Sequence, residues 1–233
     1  MIQKAKLYLI PSFLGEENPA IIPEQVKEAV SNLTEFIVED ARSARRFLRA
    51  IGYRKNFDTE VTMRELDKHA PRQNCSGLLQ NVLNGINCGI ISEAGNPCIA
   101  DPGNELVAYA HAQDIEVIPL VGPSSILLAL IASGFNGQQF TFNGYLPIKQ
   151  PERNRKIKQL ENASHNATQL FMETPFRNQK MLDDLLQTCN DTTRLCIACD
   201  LTLPTQFIKT KTIKAWKQQK PQLHKRYCIF LLG

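Results

Sequence analysis

Short apolar runs alternate with amphipathic stretches along almost the whole chain. The apolar runs predict strands, because runs of about four to eight apolar residues between turn signals are typical of buried strands. These strands are predicted at residues 6–10, 35–39, 57–62, 86–91, 115–118, 140–146, 168–173, 195–200, 205–210 and 227–232. Helices are predicted between them, at residues 24–32, 42–51, 76–83, 104–112, 124–133, 152–161, 176–189 and 214–219. This alternation is typical of α/β proteins.

Two clusters of helix- and strand-breaking residues could separate domains, at residues 119–123 and 147–151. A boundary at the first cluster leaves about five strands on either side, each set interleaved with helices. A boundary at the second leaves two domains with unequal numbers of strands. We therefore expect two α/β domains of about five strands each, at residues 1–119 and 120–233.

The predicted strand at residues 86–91 runs directly into a loop, residues 92–103, that is rich in Gly, Pro, Asn and Asp. Such residues are typical of an ordinary turn-rich connection. Here, however, Gly and Pro bracket both Asn96 and Asp101, which would hold backbone N–H and C=O groups in fixed directions. A helix that begins at Ser124 and Ser125 adds hydroxyls and free N–H groups, which suit a carboxylate. The pattern predicts a site for a zwitterionic ligand.

The predicted helix at residues 42–51 has one apolar face and one basic face. The basic face repeats at helical spacing and carries no acid; its residues are Arg42, Arg45, Arg46 and Arg49. A run of charge on a helix is often an ordinary solvated face. Because surface faces usually mix signs, and Arg54 and Lys55 follow, we interpret this face as a surface that contacts phosphates.

Composition adds few constraints. The net charge of +4 is mild, so the whole chain does not demand a polyanionic partner. The seven cysteines are an odd number, and several lie in apolar strand-like runs, which favours a reducing cytoplasm. No apolar stretch approaches the length of a membrane span, and the N-terminus lacks the features of a signal peptide. We expect a soluble, unprocessed cytoplasmic protein.

Several kinds of site are disfavoured. Cys196 and Cys199 have the spacing of metal ligands, but they would point to opposite faces of a strand and no second pair completes the set. We therefore expect no metal. The four histidines lie in separate elements with no paired nucleophile motif, and neither G-x-G-x-x-G nor G-K-[ST] occurs.

Five collinear motifs resemble those of the ribosomal RNA small subunit methyltransferase I family. Residues 92–97 and 100–103 are similar to its Ser-Asp-Ala-Gly-Thr-Pro and Ser-Asp-Pro-Gly signature. The other four similar segments are residues 39–42, 121–124, 144–147 and 173–177. That family belongs to the tetrapyrrole methylase-like superfamily, whose members use S-adenosylmethionine (SAM).

The resemblance implies two α/β domains, usually in a homodimer, with SAM in the cleft between them. Members methylate the 2′-hydroxyl of a cytidine ribose in small-subunit ribosomal RNA, so the implied partner is ribosomal RNA or the small ribosomal subunit. Met172 would lie near the adenine. The other residues that would line the cofactor are Gly95, Asn96, Pro97, Cys98, Ile99, Ser124 and Ser125.

Methyl transfer from the sulfonium is an in-line displacement, so positioning supplies much of the catalysis. The 2′-hydroxyl must lose its proton, and Glu93 and Asp101 are the carboxylates we expect to accept it. Glu93 and Asn96 depart from the Asp and Thr of the family signature, which leaves the acceptor open. The alternatives are a methyltransferase for a small tetrapyrrole-like molecule, which the basic helix face disfavours, and a SAM- or RNA-binding module without catalysis.

Overall fold

The computed structural model of the protein describes residues 5–66 and 74–233. These residues divide into two compact units, of which the first ends at Ser124 and the second begins at Ser125. The division proposed from the sequence, after residue 119, stays a prediction.

The first unit is built on a five-stranded sheet with the order β3-β2-β4-β1-β5, in which every neighbouring pair is parallel. The central strands β2 and β4 are buried along their whole length, as expected for a parallel sheet with helices on both faces. The strands are β1 (Lys6–Ile10), β2 (Glu35–Val38), β3 (Thr62–Glu65), β4 (Cys88–Ile91) and β5 (Glu116–Pro119).

Helices cover both faces of this sheet, and each face has its own apolar core. Phe36 and Val38 of β2 pack with Phe47 on one face, whereas Ile37 packs with Leu106 on the other. The alternation follows from the strand period of two. The helices are α1 (Glu24–Ser31), α2 (Ala41–Ala50), α3 (Cys75–Leu78), α4 (Gln80–Leu83) and α5 (Asn104–Ala112).

The third strand was predicted in the wrong place. Residues 57–60 form a turn, in which Asn56 N donates to Glu60 Oε2 and the Phe57 ring stacks on Tyr53. The strand lies at Thr62–Glu65, where it pairs with β2. The apolar side chains in residues 57–61 suggested a strand. They are apolar because they pack, from a turn, against the core that contains Phe36 and Phe47.

Several other element boundaries also differ from the prediction. The single helix expected at residues 76–83 is divided into α3 and α4 at Leu79, and the strand expected from residue 86 begins at Cys88. Element boundaries are the least reliable part of a sequence-based assignment.

The second unit contains a mixed five-stranded sheet with the order β6-β7-β10-β8-β9, in which only β6 and β7 are parallel. The α/β fold with five strands in each sheet is thus confirmed. The strands are β6 (Phe140–Tyr145), β7 (Thr168–Glu173), β8 (Arg194–Cys199), β9 (Phe207–Thr212) and β10 (Cys228–Leu232).

Three helices of the second unit cover one face of its sheet, around a core that includes Phe171, Trp216 and Phe230. They are α7 (Gln150–Ala163), α8 (Asn178–Thr188) and α9 (Ile213–Gln218). The fourth helix, α6 (Ser125–Ser133), packs against β8, β9 and β10, and Thr210 Oγ1 donates to the Ser133 carbonyl at its end.

Candidate functional site

The strand order of the first unit creates a crevice between β1 and β4. These strands are hydrogen-bonded neighbours, but the chain leaves β1 for α1 on one face and leaves β4 for α5 on the other. Ligands of parallel α/β sheets bind at such a point, outside the carboxyl ends of the strands. The loop after β4, which contains residues 92–103, therefore begins where a ligand is expected.

The loops after β1 and β4 are joined by two backbone hydrogen bonds. Ser12 N donates to the Gly95 carbonyl at 2.8 Å, and Gly95 N donates to the Phe13 carbonyl at 3.0 Å. Gly95 has a φ of +70°, in the left-handed region that favours glycine. Ser12 is 2% exposed, and its Oγ finds no hydrogen-bond partner within the described part of the chain.

The loop after β5 joins the other two. Asn96 Nδ2 donates to the Pro123 carbonyl at 3.0 Å. Gly122 passes so close to Pro11 that a Cβ on the glycine would lie 2.2 Å from the Pro11 Cβ, which only a residue without a side chain permits. Loops from three neighbouring strands thus converge around Gly95 and Asn96.

Part of the loop after β4 has a strained backbone. Cys98 and Ala100 have φ values of +69° and +62°, although neither is glycine. Each such residue costs about 1–2 kcal/mol, and backbone strain of this kind concentrates at functional sites. Burial, followed by the nearby Asp101 carboxylate, raises the pKa of the Cys98 thiol. The side chain therefore stays a neutral thiol near pH 7 and offers an apolar contact.

The remaining residues predicted for the cofactor differ in exposure and location. Pro97 is buried in the loop after β4, whereas Ile99 is 53% exposed. Ser124 ends the first unit and Ser125 begins α6 in the second. Met172 lies on β7, also in the second unit, and is half-buried. A cofactor site shared by all these residues stays a prediction, as does the cleft expected to contain it.

Carboxylates gather at the ends of the adjacent strands β2 and β4. Glu93 is exposed, and its N–H donates to Glu39 Oε1 at 3.2 Å. Asp101 is half-buried in the same loop. Asp40, in contrast, caps α2 by accepting from Ser43 N at 2.6 Å. Sequence reasoning did not propose Glu39 as a catalytic group, although two consecutive acids after a predicted strand were a usable signal.

The basic face of α2 is exposed, and its residues have different partners. Arg49 donates to the carbonyls of Tyr53 and Lys55 at 2.6 and 3.0 Å, and its guanidinium lies 4.2 Å from the Phe57 ring centroid. Arg45 forms an exposed ion pair with Asp58 at 3.3 Å. Arg49 therefore holds the segment that follows α2.

Arg42 and Arg46, on the same face, make no ion pair with any residue between 5 and 66 or between 74 and 233. Both side chains are exposed, so their guanidinium groups are accessible to phosphates. The RNA-contacting role of the four arginines stays a prediction.

No helix among residues 5–66 and 74–233 is long and apolar enough to cross a membrane. In the same part of the chain, no three His, Cys, Asp or Glu side chains are grouped so that they could hold a metal ion.

Comparison with known proteins identifies relatives over nearly the whole chain. The sequence profile of the family described as Tetrapyrrole (Corrin/Porphyrin) Methylases matches residues 6–216. The ribosomal RNA small subunit methyltransferase I of Vibrio cholerae is 31% identical over 87% of this chain and 67% of its own length. The protein of the same name from Haemophilus influenzae is 28% identical over 97% of this chain and 77% of its own length.

Another protein of that name, from Halalkalibacterium halodurans, is 30% identical over 78% of this chain and 60% of its own length. The alignments with these three relatives thus span 60% to 77% of each relative's length.

Solved structures share the fold. The methyltransferase CobJ superposes with a TM-score of 0.65 over 98% of this chain and 94% of its own, at 17% identity. The cobalt precorrin-4 methyltransferase CbiF gives a TM-score of 0.60 over 98% and 94%, at 14% identity.

Proposed function

We propose that this chain methylates the 2′-hydroxyl of a cytidine ribose in small-subunit ribosomal RNA. The chain belongs to the tetrapyrrole methylase family. It is a SAM-dependent methyltransferase of the ribosomal RNA small subunit methyltransferase I group. The observation that carries the proposal is the convergence of three loops around Gly95 and Asn96, one strand away from the basic helix face. The first feature suits the cofactor and the second suits the RNA.

The residues at the carboxyl ends of β1 and β4 fit SAM. The buried, unpartnered Oγ of Ser12 is available to a polar group, and the half-exposed Ile99 is available to an apolar one. Asn96 keeps its side-chain oxygen for a ligand amine, because its Nδ2 bonds to the Pro123 carbonyl. Bound SAM would supply an electrophilic methyl group on its sulfonium.

Glu39 and Glu93 are the groups we assign to proton acceptance in this reaction. The backbone N–H of Glu93, after β4, donates to Glu39 Oε1 at the end of β2, and the Glu93 side chain is exposed and therefore accessible to a large substrate. A carboxylate that accepts the hydroxyl proton as the methyl group is transferred makes the ribose oxygen a better nucleophile. Asp101 lies beside the half-buried Cys98, so we place it second.

The basic surface favours RNA over a small tetrapyrrole. Accessible guanidinium groups on consecutive turns of α2 match successive phosphates, and phosphate contacts position a nucleic acid without reading its sequence. We further propose that the protein acts in the cytoplasm as a homodimer. The seven cysteines, all free in the structure, suit a reducing compartment.

The proposal is tested by incubating the protein with methyl-labelled SAM and small ribosomal subunits from a strain that lacks it. A ribose 2′-O-methyl group removes the hydroxyl that alkaline cleavage requires. The label is therefore expected in a single alkali-resistant dinucleotide that begins with cytidine. Label on a base, on another nucleotide, or only on an added tetrapyrrole would refute the assignment. SAM binding without any transfer would favour a module that lacks catalysis.

The same assay tests the carboxylates. Glu39→Gln and Glu93→Gln are expected to lower the rate of transfer by about a hundredfold or more, in the range of general base catalysis, and to leave SAM affinity unchanged. Glu105→Gln is the matched control, because Glu105 lies in the first turn of α5 in the same unit. Equal rates for all three variants would exclude Glu39 and Glu93 as proton acceptors.

A further inference from the structure

Exposed aromatic side chains gather at one end of the sheet in the second unit. Of the four exposed Phe and Tyr side chains in the described chain, three lie there: Tyr145, Phe176 and Tyr227, with exposures of 54%, 70% and 53%. The fourth, Phe140, begins β6 at the opposite end of the sheet.

The strand pairing places these residues near one another. Tyr145 pairs with Met172 at the end of β7, Phe176 follows β7, and Tyr227 precedes Cys228, which pairs with Glu173. The His224 ring lies 6.3 Å from the Phe176 ring in an edge-to-face arrangement. We call Tyr145, Phe176, His224 and Tyr227 the aromatic edge.

The backbone that carries the aromatic edge is held firmly. Lys225 N donates to the Pro175 carbonyl at 3.0 Å, and Asn178 Nδ2 donates to the Arg226 carbonyl at 2.6 Å. Leu223 N donates to the Gln179 side chain at 2.8 Å. Two exposed rings are therefore presented from segments that are tied to the start of α8, so little conformational entropy is lost when a planar ligand binds them.

The charges around the aromatic edge favour an anion. The two carboxylates nearest to it, Glu173 and Asp200, are buried and each accepts from an arginine, at 2.7 Å in both cases. Beyond these two arginine–carboxylate pairs, the described chain places the exposed Lys225 at this surface. The backbone of Lys225 has a φ of +63°, in the left-handed region.

Aromatic faces next to cationic groups are the features with which proteins bind single-stranded nucleic acid, because every base has a face that stacks and every nucleotide carries a phosphate. We propose that the aromatic edge is a second RNA contact of this enzyme, which stacks unpaired bases on Phe176 and Tyr227 while Lys225 contacts the backbone. This inference rests on the proposed function, because it takes the RNA substrate from there. The inference goes further by assigning a place in the second unit where an unpaired stretch of that RNA binds.

The test measures the affinity of the protein for a labelled single-stranded oligoribonucleotide by fluorescence anisotropy. The variant Phe176→Ala/Tyr227→Ala is expected to bind about 30-fold more weakly or worse, which corresponds to the loss of stacking on two bases. The slope of log affinity against log salt should stay unchanged, because no charge is removed. A fluorescent base analogue in the oligonucleotide should lose its stacking-induced quenching in this variant.

The matched control is Phe140→Ala, which removes an exposed aromatic ring from the other end of the same sheet and is expected to bind like the wild type. Thermal unfolding and sedimentation velocity of every variant establish that fold and oligomeric state are intact. A double variant that binds RNA like the Phe140→Ala control, or whose main defect is loss of a dimer, would overturn the inference.

The two proposals fail in different ways. If the wild-type protein neither binds the oligonucleotide at low salt nor labels ribosomal RNA, the proposed function is refuted. If it does both, and the double variant still binds single strands and quenches the base analogue as the wild type does, only the aromatic edge is refuted.

Discussion

Gly122 shows how one residue without a side chain shapes the candidate site. It lies against the Pro11 ring, and this approach brings the loop after β5 to the loops after β1 and β4. Neighbouring Pro123 then presents its carbonyl to Asn96. The glycine acts through close packing here, because a Cβ at this position would overlap Pro11.

The substitution Gly122→Ala is expected to destabilise the first unit by about 1–3 kcal/mol, the usual cost of inserting an atom into a packed region. It should also weaken SAM binding, because it displaces Pro123 and with it Asn96. Urea unfolding and calorimetric titration with SAM measure the two effects. Gly137→Ala is the control, since a Cβ there meets no atom within 4 Å. Equal behaviour of the two variants would contradict this account.

At the scale of one element, the sequence predicted which face of α2 is buried but not which contacts its arginines make. Its helical spacing predicted the two faces, and the structure confirms that Ala44, Phe47 and Leu48 are buried. The spacing could not show that Arg49 binds the backbone at Tyr53 and Lys55, because those contacts depend on the turn that follows the helix.

The contribution of α2 to RNA binding is therefore best tested on the two arginines that lack ion-pair partners among the described residues. Arg42→Gln/Arg46→Gln is expected to reduce the slope of log affinity against log salt by about two, one for each lost phosphate contact. SAM affinity should not change. Filter binding of the wild type and the variant over a series of salt concentrations measures the slope.

The control for that variant is Arg155→Gln/Lys156→Gln, which removes the same charge from α7. An equal change of slope in both variants would mean that RNA affinity depends only on the net charge of the protein. The proposed RNA contact of α2 would then be refuted.

At the scale of the whole molecule, the second unit contains two buried carboxylates whose ionised forms are stabilised by folding. Burial favours the neutral form of Glu161 and is the largest single influence on it. The hydrogen bonds from Lys158, Thr193 and the Asn190 N–H together outweigh burial and hold the pKa of Glu161 below its usual value. The pKa of Glu173 is lowered against burial in the same way, by Arg177 and the Thr174 N–H.

The sign of the resulting pH dependence follows from these shifts. Because the folded pKa values lie below the unfolded value of about 4.3, this stability is fully present above that pH and is lost as the pH falls through the folded values. Urea midpoints should therefore fall steeply below about pH 4. Glu161→Gln is expected to cost about 2 kcal/mol at pH 7 and to flatten this dependence. The exposed Glu152→Gln should do neither.

The sequence by itself determined what depends on neighbours along the chain. Strand and helix identity, the two faces of α2 and the unusual loop after β4 follow from local periodicity and turn residues. The placement of the third strand failed because its pattern is weak and its position depends on pairing with β2.

Only the tertiary structure decided which distant residues meet. Ser12 lies opposite Gly95, Gly122 lies on Pro11, and Glu39 accepts from Glu93, because the strand order places β1 between β4 and β5 and β2 beside β4. These contacts join segments dozens of residues apart. Since pairing across a sheet leaves no periodic trace in a single sequence, the sequence could single out the loop after β4 as a candidate ligand site but could not show which distant residues lie beside it.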